Sequence, residues 1–165
     1  MIIIKENPYR NLFHLEPDRG LLNDPNGLVQ FQGRYYFFHQ WNRCGLDHGY
    51  KEWGAFVSSD LNNWEHLGSA LLPDSKEDSE GVYSGSAIEH DNKLYVFYTG
   101  NTKNNGTRKS YQRMACSSNG CTFTKSEKVI ETPKGFTEHH RDPKVWQSDG
   151  KWWMIVGAQT IDQVG

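Results

Sequence analysis

The sequence predicts an all-β fold, specifically a β-propeller, on three observations. Short aromatic or β-branched runs recur along the 165 residues, each bounded by Gly, Asn, Asp or Ser. No long segment carries the 3.6-residue apolar period of an amphipathic helix. Three hairpin signals then align: Gly33-Arg34-Tyr35-Tyr36-Phe37-Phe38, Asn92-Lys93-Leu94-Tyr95-Val96-Phe97 and Gly150-Lys151-Trp152-Trp153-Met154-Ile155, spaced 59 and 58 residues apart (92 − 33 and 150 − 92). Hairpin turns resemble one another, so this spacing needs a second landmark. Ser58-Ser59-Asp60-Leu61-Asn62-Asn63-Trp64 supplies it, recurring as Ser117-Ser118-Asn119-Gly120-Cys121-Thr122-Phe123 at an offset of 59 (117 − 58). A unit of that length holds about four strands, the content of a propeller blade, and the chain holds about three such units.

Taken in order, the first segment of interest is Leu21-Leu22-Asn23-Asp24-Pro25-Asn26-Gly27. Pro25 fixes its own φ and pushes Asp24 towards extended backbone, while Asn26-Gly27 suits a tight bend. Taken alone, Asp24 to Gly27 is a turn sequence with no catalytic role. Strands are expected over 28–31, 34–41, 54–59, 82–90, 93–99, 112–117, 144–147 and 151–158. Counting back nine residues from each aligned turn residue gives Asp24, Tyr83 and Arg141, followed by Pro25, Ser84 and Asp142. Asp24 and Asp142 thus begin equivalent strands to within one residue. If those strands are the innermost of successive blades, their leading ends meet at one mouth of the channel.

Composition narrows the function. A formal net charge of −2 arises from interspersed charges, with no basic stripe for nucleic acid and no polybasic patch for a membrane. Aromatic residues at 13% suit β-structure and sugar-contacting faces. The three isoleucines after Met1 are too short a run for a signal peptide, and Cys44, Cys116 and Cys121 form neither a disulfide framework nor a metal-ligand spacing. Cytoplasmic residence with free thiols is the expectation, and Asn105-Gly106-Thr107 is given little weight as a glycosylation acceptor. His39, His48, His139 and His140 make no recognised zinc pattern, so neither metal nor other cofactor is expected. Glu138 reads as a solvated loop glutamate. Residues 103–109 read as a solvated polar loop within possible reach of a substrate phosphate.

Further segments join Gly20-Leu-Leu-Asn-Asp-Pro-Asn-Gly27 in a fixed order. They are Phe13-His14-Leu15, Phe38-His39-Gln40-Trp41-Asn42, Trp53-Gly54 with Ser59-Asp60-Leu61 and Trp64, Tyr83-Ser84-Gly85-Ser86-Ala87, and His140-Arg141-Asp142-Pro143-Lys144-Val145. Together they resemble glycoside hydrolase family 32, the invertases and sucrose-6-phosphate hydrolases, across nearly the whole chain. The resemblance implies a five-bladed propeller followed by a β-sandwich, and hydrolysis of β-fructofuranosyl bonds with retention. It assigns Asp24 as nucleophile and Asp142 as the group that holds ring hydroxyls and stabilises the transition state. Arg141 would fix the neighbouring carboxylates; Asn23, Gln40, Tyr83 and Ser84 would line the fructose pocket, with Trp53 as its apolar wall.

The departures from the family pattern are Leu21-Leu22 for a frequent Trp-Met, Tyr83 for a frequent Phe, and His48 for a frequent Trp, the last placing His48 on the leaving-group side. The family's acid/base glutamate, in a Glu-Cys motif, has no counterpart here and is expected near residue 200, past Gly165. The expected partner is a small sugar, sucrose or sucrose 6-phosphate. A non-catalytic carbohydrate-binding propeller and a fructosyltransferase using the same intermediate are the alternatives.

Overall fold

A computed structural model of the chain describes residues 9–11 and 13–162. Its ten strands are β1 (Leu21–Phe31), β2 (Arg34–Asn42), β3 (Glu52–Ser58), β4 (Trp64–Leu71), β5 (Gly81–His90), β6 (Lys93–Asn104), β7 (Thr107–Ser117), β8 (Thr124–Glu131), β9 (Arg141–Ser148) and β10 (Lys151–Gly157). They form two four-stranded antiparallel sheets, β1-β2-β3-β4 and β5-β6-β7-β8, and a hairpin of β9 with β10.

The repeat seen in the sequence is present in the backbone. Gln32-Gly33, Asp91-Asn92 and Asp149-Gly150 each have both central residues at positive φ. That is the two-residue turn whose twist matches the twist of its flanking strands. The second landmark also recurs: Ser58 Oγ accepts from the backbone N–H of Asp60 and Leu61, and Ser117 Oγ from those of Asn119 and Gly120. Leu61 and Gly120 share a left-handed φ, of 65° and 75°.

Each of the eight expected runs falls on a strand, those over 54–59 and 151–158 running one residue past its end, and β4 and β8 are additional. Both are the outermost strands of their sheets. β8, Thr-Lys-Ser-Glu-Lys-Val-Ile-Glu, is charged and largely exposed, as an edge strand protected from association tends to be. It therefore lacks the apolar run that marks an inner strand. β1 begins seven residues before the expected start, because Asp24-Pro25-Asn26-Gly27 is a bulged strand and not the tight bend its composition suggests.

The core fills the space between the first two sheets with Phe31, Tyr36, Phe38, Trp53, Val82, Leu94, Val96 and Tyr98, all nearly inaccessible. Burying each such side chain contributes about 1.5–3 kcal/mol. β1 lies beside β5, and β5 beside β9. Ser86 clamps the second pair, its hydroxyl donating to the Pro143 carbonyl at 2.8 Å and accepting from the Val145 N–H at 3.1 Å. The first strands of three consecutive units thus lie side by side.

Candidate active site

Each of those three strands has a β-bulge near its leading end, and each bulge carries a predicted site residue. In β1, Leu22 pairs with Trp41 and Pro25 with His39, so Asn23 and Asp24 both stand opposite Gln40. In β5, Tyr83 pairs with Thr99 and Gly85 with Tyr98, leaving Ser84 as the extra residue. In β9, Arg141 pairs with Gly157 and Lys144 with Ile155, so Asp142 and Pro143 oppose Val156. A bulge turns a side chain out of the alternation of the sheet, and prolines fit there because the ladder does not require their missing N–H.

The bulges meet. Ser84 Oγ donates to Asp24 Oδ2 at 3.0 Å, linking the first two sheets. Asn23 donates from Nδ2 to Gln40 Oε1 at 3.0 Å, and Gln40 Nε2 donates to the Val82 carbonyl at 3.3 Å. Trp53, fully buried, donates its indole N–H to the Tyr83 carbonyl at 2.9 Å.

Asp142 adopts a left-handed φ of 63°, uncommon for a residue other than glycine, and its N–H donates to Thr99 Oγ1 at 3.0 Å. The Thr99 hydroxyl in turn donates to Gln112 Oε1 at 2.7 Å, and Gln112 Nε2 donates to the His140 carbonyl at 2.7 Å. Thr99 and Gln112 are buried, so this chain of hydrogen bonds holds the strained residue from beneath.

Electrostatics couples the two carboxylates. The Asp142 pKa is raised, chiefly by the protein crowded around it although half the side-chain surface stays accessible. Arg141 opposes that shift, the charge of Asp24 adds to it, and Arg108 opposes it. Arg141 Nε lies 3.6 Å from Asp142 Oδ2, an ion pair too long for a strong hydrogen bond. Arg108 lies over the Tyr83 ring, 4.9 Å from its centroid, and donates from Nε to Asn101 Oδ1 at 2.6 Å. Asn101 Nδ2 approaches the Tyr83 hydroxyl at 3.4 Å. The site thus offers two carboxylates at one rim and amide and hydroxyl groups for sugar hydroxyls; Trp53, expected as the apolar wall of the pocket, is instead fully buried in the core and acts only through its hydrogen bond to Tyr83.

The family model for the glycosyl hydrolases family 32 N-terminal domain matches residues 14–165. The chain belongs to glycosyl hydrolase family 32. A sucrose-6-phosphate hydrolase of Klebsiella pneumoniae is 49% identical over 154 residues, covering 93% of this chain and 33% of the relative. Among solved structures, a sucrose-6-phosphate hydrolase from Lactobacillus gasseri superposes with a TM-score of 0.91 at 42% identity, over 95% of this chain and 33% of that one. A Bombyx mori family 32 β-fructofuranosidase, solved as a mutant in complex with sucrose, gives 0.82 at 30% identity, over 93% and 33%. The chain spans about a third of the length of the relatives it matches.

Within this family 32 chain, eight of the nine predicted site residues fall into the contacts above: Asn23, Asp24, Gln40, Trp53, Tyr83, Ser84, Arg141 and Asp142. His48 stands apart from them, exposed in the loop between β2 and β3, where its Nδ1 lies 3.1 Å from Lys51 Nζ. His140 is buried under the site, and the Glu138 backbone carbonyl accepts from Ser110 Oγ at 2.6 Å.

Sequence reasoning missed Lys51, Thr99, Asn101 and Gln112, and it read Arg108 only as part of a solvated loop over 103–109, whereas that segment is the end of β6, a turn at Asn105-Gly106 and the start of β7. For two of them the repeat carried the signal. Thr99 is the counterpart of Gln40 (99 − 40 = 59) and Gln112 that of Trp53 (112 − 53 = 59). Gln40 and Trp53 reach Val82 and Tyr83 in the next unit, and Thr99 and Gln112 reach Asp142 and His140. An apolar groove of about 340 Å³ between Ile88, Tyr95, Phe97 and Trp152 lies elsewhere and has no carboxylate among its lining residues. Among the described residues no group of three or more His, Cys, Asp or Glu is placed to hold a metal ion.

Proposed function

We propose that this chain is the N-terminal part of a five-bladed propeller whose enzyme hydrolyses terminal β-fructofuranosyl bonds of sucrose or sucrose 6-phosphate with retention. Asp24 is the nucleophile. It attacks the anomeric carbon of fructose to give a covalent fructosyl ester, which water then cleaves. Asp142 holds ring hydroxyls and stabilises the positive charge that develops on the ring. Arg141 steadies Asp142 without quenching it, while Asn23, Gln40, Tyr83 and Ser84 orient the fructose, and the buried Trp53 holds the Tyr83 backbone in place. The proton for the leaving sugar comes from a glutamate that this reading places outside residues 1–165, so the chain by itself is expected to be inactive.

The observation that supports this reading is the pairing of Asp24 and Asp142. They are 118 residues apart in sequence (142 − 24), yet both sit on bulges of first strands that flank β5 on either side, and the charge of Asp24 raises the pKa of Asp142. A module that only binds sugar has no need of two mutually repelling carboxylates at one rim. The test is turnover by the full-length protein and its Asp24→Ala variant. Loss of more than about 10⁴-fold in kcat with an unchanged melting temperature is expected, and near wild-type kcat would remove Asp24 from the mechanism.

A further inference from the structure

We propose that Arg108 is a positioning residue of the site: held against Tyr83 and Asn101 in the β6–β7 hairpin, it keeps a positive charge facing Asp142 and so sets how far into acid the enzyme works. The inference rests on the reading of Asp142 as the carboxylate that meets the charge developing on the sugar ring.

The guanidinium is built into the fold. Gly81 opens β5 opposite Asn101, Asn101 pairs with Ser110, and Lys103 pairs with Arg108, so β6 and β7 run past the leading end of β5 and carry Arg108 to the rim. The hairpin is tied there. Lys103 Nζ lies 3.1 Å from a Glu80 carboxylate oxygen, and the Glu80 N–H donates to the Asn101 carbonyl at 2.9 Å. From that base Arg108 Nε donates to Oδ1 of the buried Asn101 at 2.6 Å, while its guanidinium carbon lies 4.9 Å from the centre of the Tyr83 ring. Ring and amide together fix the plane of the guanidinium. Among the described residues no carboxylate forms an ion pair with Arg108, so its charge is not neutralised at short range.

Position gives that charge its meaning. Two carboxylates at one rim repel each other, and cations nearby are what allow both to stay ionised. The charged groups that act on Asp142 are Arg141 on β9, Asp24 on β1 and Arg108 on β7. Burial raises the Asp142 pKa, Arg141 lowers it, Asp24 raises it and Arg108 lowers it. Arg141 is the sequence neighbour, 3.6 Å away on a side chain 44% exposed. Arg108 comes from another unit and is held in place. Lys51, whose ammonium lies 5.9 Å from the centre of the same Tyr83 ring, interacts with Asp24 instead. A protonated Asp142 carries no charge to offset a positive ring and turns from acceptor to donor. Without Arg108, Asp142 takes up its proton at higher pH, and turnover fails sooner as the medium is acidified.

The test follows kcat/KM against pH for sucrose, which carries no charge that Arg108 could attract. It uses the full-length protein and its Arg108→Met, Arg108→Lys and Asn101→Ala variants, with melting temperatures as a folding control. Carbon-13 labelling of the aspartate carboxyls, with the Asp142 signal assigned through Asp142→Asn, reads the same group by NMR without turnover. Arg108→Met should move the Asp142 titration to higher pH. It should also cut kcat/KM on the acid limb, relative to its plateau, by about 2- to 5-fold, the scale of a partly exposed charge pair. Arg108→Lys should restore most of this. Asn101→Ala changes no charge, yet by freeing the guanidinium it should move both readouts in the direction of Arg108→Met.

A sucrose-cleaving protein whose Arg108→Met variant loses activity equally at every pH, with the Asp142 titration unmoved, would overturn the proposal and leave the hydrolase reading standing. A titration that moves in such a protein while the acid limb stays in place would also overturn it. A full-length protein that cleaves no fructoside, yet shows the Asp142 titration moving with Arg108, would overturn the hydrolase reading and keep the coupling of Arg108 to Asp142.

Discussion

Ser84, on β5, donates a 3.0 Å hydrogen bond to Asp24 Oδ2, on β1, so the extra residue of one bulge grips the carboxylate of another across two sheets. Holding one oxygen leaves the second to face the sugar. Ser84→Ala should therefore leave folding intact and lower kcat. A hydrogen bond to a charged group is worth about 1.5–3 kcal/mol, and at this open rim the lower end applies, giving roughly a 10-fold loss. Steady-state kinetics on a sucrose-type substrate reads this out. An unchanged kcat would mean that Asp24 is oriented by other contacts.

The hydrogen-bonded chain beneath Asp142 predicts a different signature. Thr99→Val keeps the shape of the side chain but removes both the acceptor for the Asp142 N–H and the donor to Gln112. It should cost about 1–3 kcal/mol of stability through unsatisfied buried groups and lower kcat more than it raises KM, whereas Thr99→Ser should restore both. Asp142→Asn should preserve the melting temperature and depress kcat far more than substrate binding. If Asp142→Asn changes only KM, Asp142 serves binding and not the transition state.

Gly27 tests the packing that sets the entry of β1. It has a φ of 59°, and a methyl group added there would lie 2.9 Å from Phe38 Cδ2 and 3.2 Å from Trp53 Cζ3, both on fully buried rings. Gly33 has a similar φ of 73° but no heavy atom within 4 Å of the same added carbon. Gly27→Ala should thus carry an overpacking cost of about 1–3 kcal/mol in addition to the backbone strain that Gly33→Ala carries alone. Denaturation midpoints of the two variants separate these terms, and equal midpoints would show that the core yields at Phe38.

His39 predicts acid sensitivity. It is fully buried, its Nδ1 lies 3.3 Å from the Gln40 carbonyl, and its Nε2 has no hydrogen-bond partner. Burial pulls its pKa from 6.5 down to about 4; the hydrogen bond to Gln40 opposes this and the charge of His66 adds to it. A depressed histidine binds protons more readily when unfolded. Its contribution is fully present above pH 6.5 and is lost as pH falls towards 4, by on the order of 3 kcal/mol. Melting temperature followed from pH 7.5 to 4.5 should fall, and His39→Leu should fall less steeply. Parallel slopes would assign the acid sensitivity to other groups.

The fold was legible where the chain repeats itself. Hairpin turns built on Gly33, Asn92 and Gly150 need positive φ, and that demand on residue type made the period visible. β8 escaped because an exposed edge strand's composition follows solvent, and β4 because Gly68, at a φ of 81°, and Ser69 interrupt its apolar run. The predicted site residues were readable as motifs, but the bulges that aim them were not. Asp24-Pro25-Asn26-Gly27 has the composition of a turn, and only pairing with β2 makes it a strand. Thr99 and Gln112 are ordinary strand residues whose role appears once β9 is laid beside β6. Lys51 was hidden, and Arg108 was read only as part of a solvated segment, because a cation gains significance only from the groups it faces in the fold.

The central claim, that Asp24 is the nucleophile, is tested most directly by trapping the intermediate. A fructoside with a good leaving group needs little help from a proton donor, so the full-length protein should accumulate the ester when its hydrolysis is slow. Digestion and mass analysis should then find one added fructosyl mass on the peptide containing Asp24, and none on the same peptide of Asp24→Ala. An adduct on another carboxylate, or steady turnover by the Asp24→Ala variant, would contradict it.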